Sequence, residues 1–251
     1  MINLNSKTVL ITGGSRGIGA ACVKLFAEAG ANVAFTYQSN KIAADKIVDA
    51  IPKKIKVKAY KCDLNKPEEI ENTVGKVISD FGGIHVLVNN AGVWKYGPAD
   101  KMSLDDWNET IRINLTGTFL FTKLVLPGMM KNKFGRIINI TSTAGQRGEA
   151  NYSHYAASKG GVISYTKSLA SEFGKYNITT NSVAPGWVDT DMTTDVLSDK
   201  NYRRGVEEDI PVNRVATAED IAGPVLFLAS ELGRHINGEI LNVNGGSILC
   251  G

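Results

Sequence analysis

The amino-acid sequence predicts an α/β fold, in which a single doubly wound domain is built on a seven-stranded parallel sheet with helices on both faces. Short apolar runs rich in β-branched residues alternate with longer helical patterns along the chain, as in sheets covered on both sides. A glycine-rich stretch joins the first run to the first helical pattern. No composition shift, linker or repeat divides the 251 residues, so we predict one domain over residues 1–251.

Seven runs have the length and composition of strands that are buried on both faces. Each is separated from the next by a stretch long enough for the crossover that parallel pairing requires. The predicted strands are residues 8–12, 32–37, 55–61, 85–89, 136–141, 179–184 and 239–243.

The helical patterns begin and end at recognisable signals. In the first helix, apolar residues recur at helical spacing until Gly30, which is typical of a helix stop. Ser103 and Thr217 each stand three residues before an aspartate, and we predict both as N-caps. Asn65, which shortly precedes Pro67, is predicted to cap a further helix.

Composition argues against several classes of function. The formal net charge of +3 is too small to indicate nucleic-acid binding. Cys22, Cys62 and Cys250 show neither CxxC nor Cys/His spacing, and His85 and His154 lack a partner in ligand spacing, so we expect no metal site and no disulfide framework. Without a signal-peptide pattern or an apolar run of ~20 residues, we expect a cytoplasmic protein that does not contact membranes.

The glycine-rich stretch Thr-Gly-Gly-Ser-Arg-Gly-Ile-Gly, residues 12–19, has the context of a phosphate-binding loop. It follows a strand and opens a helix, where glycines allow a close backbone approach and the helix N-terminus offers N–H groups and a positive dipole end to an anion. A merely tight turn is the alternative interpretation. The context favours binding of a dinucleotide pyrophosphate.

Tyr155 and Lys159 stand four residues apart in a helical pattern and therefore share one helix face. Reduction of a ketone needs a hydride at carbon and a proton at oxygen, and a phenol with a pKa of ~10 is a weak base for the reverse reaction. A nearby ammonium favours the phenolate, so we expect Lys159 to lower the pKa of Tyr155. A solvated helix face would explain the same spacing when it is considered alone.

Further motifs lie in a fixed order along the chain. The glycine spacing G-x-x-x-G-x-G over residues 13–19 is followed by Asn-Asn-Ala-Gly at 89–92, Tyr-Ala-Ala-Ser-Lys at 155–159 and Pro-Gly at 185–186. Together with Asn-Val-Asn-Gly-Gly at 242–246, this order resembles the short-chain dehydrogenase/reductase family. The resemblance implies a Rossmann fold and an oxidoreductase.

Within that family the chain is most similar to the 3-oxoacyl-acyl-carrier-protein reductases of fatty-acid synthesis. The likeness rests on the NADP-type loop, on Pro-Val-Asn-Arg at 211–214 and on the closing motif. It implies hydride transfer from NADPH to the ketone of a small or carrier-bound acyl substrate, in a homotetramer. A reductase of free ketones, sugars, polyols or steroids is the alternative, and a non-catalytic NADP-binding scaffold is a remote one.

The resemblance also assigns roles to side chains. Tyr155 is the acid, Ser142 binds the substrate oxygen, and Lys159 holds the nicotinamide ribose and connects Tyr155 to a proton relay. Asn114 positions a relay water, although a packing residue that kinks its helix is the alternative. The implied cofactor-binding residues are Gly13, Ser15, Arg16, Gly17, Ile18, Gly19, Tyr37, Ser39, Asn40, Asp63, Leu64, Asn89, Ala91, Gly92, Tyr155, Lys159, Pro185, Gly186, Val188 and Thr190.

The choice between NAD and NADP depends on the end of the second strand, where a carboxylate would repel a 2′-phosphate. That segment carries no carboxylate, and Arg16, Ser39 and Asn40 could bind a phosphate, so we predict NADP(H). A solvated loop charge is the alternative for Arg16. Asn89 could instead tie neighbouring strands together, and Asp63 could cap a helix rather than contact adenine.

The segment 190–211 is polar and irregular in pattern, and we predict a substrate lid there. Of the three tryptophans, Trp94 and Trp107 are predicted to be packing residues, while Trp187 could line the substrate cleft. An acidic carrier protein would need basic residues at the cleft entrance. The candidates are Lys131, Lys133, Arg136, Arg203 and Arg204.

Overall fold

The computed structural model describes residues 2–249, so Cys250 lies outside the described residues. Its seven-stranded sheet has the order β3-β2-β1-β4-β5-β6-β7, and every neighbouring pair is parallel. The strands are β1 Thr8–Ile11, β2 Asn32–Tyr37, β3 Val57–Lys61, β4 Val86–Asn89, β5 Gly135–Ile140, β6 Ile178–Pro185 and β7 Ile240–Val243. The predicted fold class is confirmed, and each predicted strand is present with ends that differ by two residues or fewer.

Helices cover both faces of this sheet and return the chain from the carboxyl edge to the amino edge. They are α1 Gly17–Glu28, α2 Lys41–Ala50, α3 Pro67–Phe81, α4 Leu104–Ile111, α5 Gly117–Asn132, α6 Ala144–Arg147, α7 Ser153–Phe173, α8 Thr194–Leu197, α9 Lys200–Asp209 and α10 Ala218–Ala229. A π-helical turn, Arg112–Thr116, joins α4 to α5.

The core has one layer on each face of the sheet because neighbouring residues of a strand point to opposite sides. Val9 and Ile11 of β1 pack with Phe26 of α1 on one face, which also holds α2 and α10. Leu10 packs with Phe121 of α5 on the other face, together with α3 and α7. This double burial explains why the strands read as continuous apolar runs.

The order of the strands reverses beside β1. From β1 the chain builds β2 and β3 outward on one side, and then crosses to β4 on the other side. At such a switch point the connections leave in opposite directions and open a crevice at the carboxyl ends of the strands. The sheet topology therefore places a ligand site beside the end of β1.

Two of the three predicted helix caps are confirmed. The hydroxyl of Ser103 accepts a hydrogen bond from the N–H of Asp106, and Thr217 forms a capping box with Asp220. The prediction for Asn65 was wrong, because Lys66 occupies the N-cap position of α3 and provides no side-chain cap.

The predicted irregular segment 190–211 contains two helices, α8 and α9. The carboxylate of Asp199 caps α9 by accepting from two backbone N–H groups, and pairs of arginine and glutamate four residues apart run along the helix. A small apolar cluster of Leu197, Val206 and Ile210 packs with Trp187. Local charge patterning and capping thus give this polar segment regular structure.

Within residues 2–249, no helix is long and apolar enough to cross a membrane. The same part of the chain holds no group of three or more histidine, cysteine or acidic side chains that could bind a metal ion. Cys22 and Cys62 are both buried and free.

Candidate active site

A cleft of about 1120 Å³ opens along the carboxyl ends of the strands, at the switch point of the sheet. Its lining comes mainly from the segments that follow β1 to β7, together with α9. Of the predicted site residues, all line this cleft except Gly19, Ser39, Asn40, Asn89 and Asn114. The fold therefore brings together most of the residues that were selected from eight separate stretches of the sequence.

The glycine loop forms one end of the cleft. Gly13 and Gly17 have left-handed backbone angles, with φ of 66° and 50°, which a side chain would strain. At Gly19 a Cβ atom would lie 2.1 Å from the carbonyl oxygen of Gly13, so a methyl group has no room there. Gly19 is therefore required for the close packing of the loop, and it does not contribute to the surface of the cleft.

The loop is held in place by polar groups of neighbouring strands. The hydroxyl of Thr36 accepts a hydrogen bond from the N–H of Gly13 at 3.0 Å, and the amide of Asn90 donates to the carbonyl oxygens of Thr12 and Gly13. Thr12 in turn accepts from the N–H groups of Asn90 and Ala91 at 2.9 and 3.0 Å. The sequence analysis missed Asn90 as a supporting residue, although it belongs to the Asn-Asn-Ala-Gly motif.

The loop fits the pyrophosphate of a nicotinamide dinucleotide. It is a side-chain-free concavity that ends at the first turn of α1, where Ser15, Arg16, Gly17 and Ile18 line the cleft. The first N–H groups of a helix lack partners within the helix and attract anions. The residues that would hold the pyrophosphate are therefore in place.

The next part of the cleft has the polarity expected for an adenosine site. Tyr37, Gln38, Asp63 and Leu64 line it, and the amide of Gln38 donates to Asp63 at 3.4 Å. The carboxylate of Asp63 also accepts from the N–H of Asn65 at 3.0 Å, so it organises the turn before α3 without acting as the helix cap. Gln38 was missed by the sequence analysis.

Ser39 and Asn40 lie outside the lining of the cleft. The side chain of Asn40 accepts a hydrogen bond of 2.9 Å from the N–H of Ala43 and so caps α2. A phosphate would need the amide N–H groups of Asn40 rather than this oxygen, so its role as a phosphate ligand stays a prediction. Arg16 does line the cleft and lies 3.8 Å from the carboxylate of Asp191, with both side chains largely exposed.

The structure favours the strand-tying alternative for Asn89. Its amide donates to Asn139 at 2.9 Å and to Thr122 at 3.2 Å, which links β4 to β5 and α5. Its side chain is buried beneath the cleft, whereas Ala91 and Gly92 line the cleft.

Tyr155, Lys159 and Ser142 meet on the floor of the cleft. Tyr155 and Lys159 project from the first two turns of α7, and the ammonium nitrogen lies 5.8 Å from the centre of the tyrosine ring. The side chains of Ser142 and Tyr155 are hydrogen-bonded to one another, and Ser142 also accepts from the N–H of Ala144 at 3.1 Å. The grouping joins the end of β5 to the start of α7.

Burial dominates the ionisation of this pair. The surrounding protein raises the pKa of Tyr155 to about 12, the hydrogen bond from Ser142 opposes that shift, and the charge of Glu149 adds to it. Burial also lowers the pKa of Lys159 to about 8. The expectation of a lowered phenol pKa was wrong for this structure, because desolvation of the phenolate dominates.

Asn114 lies in the π-helical turn and is fully buried. Its side-chain oxygen accepts from the N–H of Val93 at 2.8 Å, while its amide donates to the carbonyl oxygen of Val93 and to the hydroxyl of Ser158. A Cβ atom at Gly92 would lie 3.2 Å from Asn114 Oδ1 and 3.5 Å from Lys159 Nζ, so the two polar groups flank the same backbone. A π-turn at a functional site is a recurrent device, and here it turns Asn114 toward the loop after β4.

The segment after β6 closes the cleft opposite the glycine loop. Pro185, Gly186, Val188 and Thr190 all line it. The methyl group of Thr190 would contact a Cβ at Gly17 at 3.2 Å, so this segment faces the loop directly. It is positioned to contact a nicotinamide that extends from a pyrophosphate bound at the loop.

Aromatic rings form the remaining wall. Trp94 stacks on Tyr152 with ring centres 4.4 Å apart, and Trp187 contacts Trp94 and Tyr202 edge to face. All four rings line the cleft, whereas Trp107 does not. The prediction of Trp94 as a packing residue was incomplete, and its place just after the strand-ending motif was the signal that could have found it.

Three of the five basic residues predicted at the cleft entrance do not lie there, whereas Arg203 and Arg204 belong to α9, which lines the cleft. Arg136 is buried at the start of β5, and Lys131 and Lys133 lie at the end of α5, so all three are at the sheet edge opposite Ser142. In α9, Arg203 pairs with Asp189 and Glu207, and Arg204 pairs with Glu208. The parallel topology decides this placement, because α5 carries the chain away from the carboxyl ends of the strands.

Neither His85 nor His154 lines the cleft, as expected for structural residues. The Nδ1 atom of His85 accepts a hydrogen bond of 3.0 Å from the N–H of Thr8. His154 is buried at the start of α7 beside Gly97.

Comparisons with known proteins agree with this geometry. Residues 13–247 match a family model described as enoyl-(acyl carrier protein) reductase. The 3-oxoacyl-acyl-carrier-protein reductases of Aquifex aeolicus and Vibrio cholerae are 41% and 42% identical to the chain, and each alignment covers 98% of both proteins. Among solved structures, the short-chain dehydrogenase/reductase SDR:glucose/ribitol dehydrogenase from Brucella melitensis superposes with a TM-score of 0.92, at 31% identity over 99% of both chains.

Near-complete coverage at this identity extends the similarity over the whole cleft, from the glycine loop to the segment after β6. The predicted resemblance is thus confirmed: the chain belongs to the short-chain dehydrogenase/reductase family.

Proposed function

We propose that this protein is an NADPH-dependent 3-oxoacyl-acyl-carrier-protein reductase. The observation that carries the proposal is the meeting of Tyr155, Ser142 and Lys159 on the floor of a cleft whose other end is a glycine loop. A hydride source and a proton source can reach one substrate carbonyl only where these two parts share a cavity. Relatives named as 3-oxoacyl-acyl-carrier-protein reductases match nearly the whole chain.

In the proposed reaction, bound NADPH supplies a hydride to the ketone carbon. The hydroxyl of Ser142 donates a hydrogen bond to the ketone oxygen and stabilises the negative charge that develops there. Tyr155 donates its phenolic proton to the same oxygen, so that one hydride and one proton convert the ketone to an alcohol.

Lys159 and Asn114 complete the proton path in this proposal. The ammonium of Lys159 is held at the floor by the carbonyl oxygen of Ile140, which accepts its hydrogen bond at 2.7 Å. From there it stabilises the phenolate left on Tyr155 and holds the ribose of the cofactor. Asn114 fixes the loop after β4 beside Lys159. A water bound next to Lys159 would return a proton to Tyr155.

The preference for NADP rests on charge at the adenosine end. The turn after β2 offers Gln38 and no carboxylate, and Arg16 lies across from it in the lining of the cleft. A 2′-phosphate would meet the guanidinium of Arg16 without repulsion from an acidic side chain on β2. The carboxylate of Asp191, in the lid segment, lies 3.8 Å from Arg16 and would compete with the 2′-phosphate for the guanidinium. Because both side chains of this ion pair are exposed, the competition is weak.

The proposal includes a mobile lid over residues 190–211, here α8 and α9 with their connections. Met192, Val196 and Tyr202 of this segment line the cleft, so its displacement would open the substrate end. The ion pair between Arg203 and Asp189 at 2.9 Å ties α9 to the segment after β6.

We also propose a cytoplasmic homotetramer, in line with the family resemblance. Leu104 and Trp107 of α4 and Phe119 of α5 are large apolar side chains with 72%, 38% and 43% of their surface exposed, and a second copy could cover them. Light scattering should give four times the chain mass, and Phe119→Glu should lower that mass. Buried, unpaired Cys22 and Cys62 suit a reducing compartment.

The test of the proposed substrate is a panel of ketones with NADPH as reductant. We expect turnover of acetoacetyl thioesters, with a higher kcat/KM when the acyl group is linked to an acyl carrier protein. The panel includes sugars and polyols with either cofactor, since the Brucella melitensis structure is named for glucose and ribitol. Activity on sugars without activity on thioesters would reject 3-oxoacyl thioesters as the substrate, but the protein would still be an oxidoreductase that acts on a carbonyl or hydroxyl group.

A further inference from the structure

The substrate end of the cleft contains a carboxylate that the proposed reaction does not use. Glu149 lies between α6 and α7 and lines the cleft beside the aromatic wall. The indole N–H of Trp94 donates a hydrogen bond to its carboxylate at 3.3 Å. The indole ring itself is fixed by its stack on Tyr152, so the carboxylate is held in one place.

This carboxylate lines the same cleft as the reacting groups. Its charge raises the pKa of Tyr155, whose phenol donates the proton in the proposed reaction. Its own pKa is raised by burial, while the hydrogen bond from Trp94 and the charge of Arg147 oppose that shift. The other titratable side chain that faces it is Tyr152, whose pKa Glu149 also raises.

We propose that Glu149 determines specificity by charge, so that the cleft accepts neutral 3-oxoacyl thioesters and esters and rejects the corresponding free 3-oxo acids. This inference rests on the proposed function. When the ketone oxygen lies between Ser142 and Tyr155, the acyl carbon is only two bonds from the ketone carbon. In a thioester the acyl group is neutral, but in a free acid its carboxylate carries a full negative charge inside the cleft that Glu149 also lines.

Two negative charges in a partly buried cleft repel each other more strongly than they do in water. The aromatic rings of Trp94, Tyr152 and Trp187 strengthen this effect because they provide no charged group that could compensate a carboxylate. Arg147 lines the same cleft and would attract an anion, but its side chain is exposed and the Glu149 carboxylate is half-buried. Solvent screens the exposed charge more effectively.

The experiment compares acetoacetate with ethyl acetoacetate, which present the same ketone with and without the charge, as substrates of the full-length protein with NADPH. The quantity measured is the ratio of the two kcat/KM values. We expect wild-type protein to favour the ester at least 100-fold at pH 8, and Glu149→Gln to narrow that ratio at least tenfold. An unchanged ratio in Glu149→Gln would overturn the proposal.

A matched substitution of the opposite charge controls for general disturbance of the cleft. Arg147→Gln should leave the preference for the ester unchanged or increase it. If Arg147→Gln narrowed the ratio as much as Glu149→Gln does, selection by the charge of Glu149 would be rejected.

The pH dependence of the wild-type protein gives a second measurement that needs no variant of Glu149. Burial raises the pKa of the Glu149 carboxyl, so rejection of acetoacetate should weaken as the pH is lowered from 8. Trp94→Phe removes the donor that favours the ionised carboxylate, and it should move this change to higher pH. Tyr176→Phe, at an aromatic residue outside the cleft lining, should not move it, and a flat wild-type ratio would contradict the proposal.

A third substrate separates this inference from the proposed function. An acetoacetyl thioester of N-acetylcysteamine tests the function, while the ester and acid test the charge selection. Turnover of the ester without turnover of the thioester would reject the function and leave the charge comparison intact. Absence of turnover on every ketone would reject both.

Discussion

The ammonium of Lys159 donates a hydrogen bond of 2.7 Å to the carbonyl oxygen of Ile140, the last residue of β5. This bond ties the second turn of α7 to the strand that leads to Ser142. Only 5% of the surface of Lys159 is exposed, and burial lowers its pKa to about 8. The catalytic end of the cleft is therefore assembled around a cation that the surrounding protein destabilises.

Substitution of Lys159 should abolish activity and increase the free energy of unfolding. In the unfolded chain Lys159 keeps its ordinary pKa of about 10.4. At pH 7 its ammonium must therefore be buried when the chain folds, which lowers the free energy of unfolding. We expect Lys159→Met to stabilise the protein by about 2 kcal/mol at pH 7, after loss of the hydrogen bond to Ile140 is counted, and to abolish reduction.

The sign of the pH dependence follows from the two pKa values. Between pH 8 and about 10.4 the unfolded chain holds more protons at this site than the folded protein, so wild-type stability rises with pH. The advantage of Lys159→Met should therefore shrink from pH 7 to pH 10 in urea unfolding. Lys167→Met, at an exposed position of α7, is the control, and an advantage that does not change with pH would contradict the burial argument.

Removal of one hydroxyl should separate proton delivery from cofactor binding. Tyr155→Phe keeps the ring but has no proton to donate, so we expect kcat for ketone reduction to fall by a factor of about 100 to 10,000. NADPH affinity, measured by fluorescence titration, should stay within threefold. Tyr176→Phe, in the short turn that follows α7 and outside the cleft lining, should retain full activity. Substantial turnover by Tyr155→Phe would reject this tyrosine as the acid.

A pair of glycines tests the packing of the phosphate loop. Gly19→Ala places a methyl group 2.1 Å from the carbonyl oxygen of Gly13, and the backbone must move. We expect at least a tenfold loss of NADPH affinity and a lower melting temperature. Gly75→Ala in α3 meets nothing within 4 Å, and it should stabilise the protein by about 0.5–1 kcal/mol without an effect on NADPH. If Gly19→Ala and Gly75→Ala had the same effect on NADPH affinity and melting temperature, the close packing of Gly19 against Gly13 would not be required for cofactor binding.

The charge of Arg16 should decide between the two nicotinamide cofactors. Arg16→Ala removes a charge-assisted contact to a 2′-phosphate, which corresponds to a loss of about 10- to 100-fold in kcat/KM for NADPH. The value for NADH should change by less than threefold, because its ribose offers no phosphate to this side chain. An equal loss with both cofactors would assign Arg16 to the structure of the loop alone.

The sequence by itself determined the order of the strands and helices and the face shared by Tyr155 and Lys159. These features depend only on residues that are close together in the sequence, namely runs of apolar residues and a four-residue spacing. Contacts with distant segments are not needed to predict them. The glycine loop is also local, because the requirement for positive φ at Gly13 and Gly17 is visible in the residue type.

Only the tertiary structure decided which neighbouring polar residues face the cleft. Asn89 ties strands while the adjacent Asn90 holds the loop, and the side-chain oxygen of Asn40 caps a helix. A one-residue step along a strand turns a side chain to the other face of the sheet, and sequence spacing does not show which face is occupied.

Tertiary structure also decided the ionisation of the site. The spacing of Tyr155 and Lys159 suggested a lowered phenol pKa, but the assembled cleft raises it to about 12. The pKa of a group is set by the sum of charges, dipoles and desolvation from every segment around it, including Glu149 and Ser142. The helix brings two side chains together, whereas the folded chain determines the medium in which they interact.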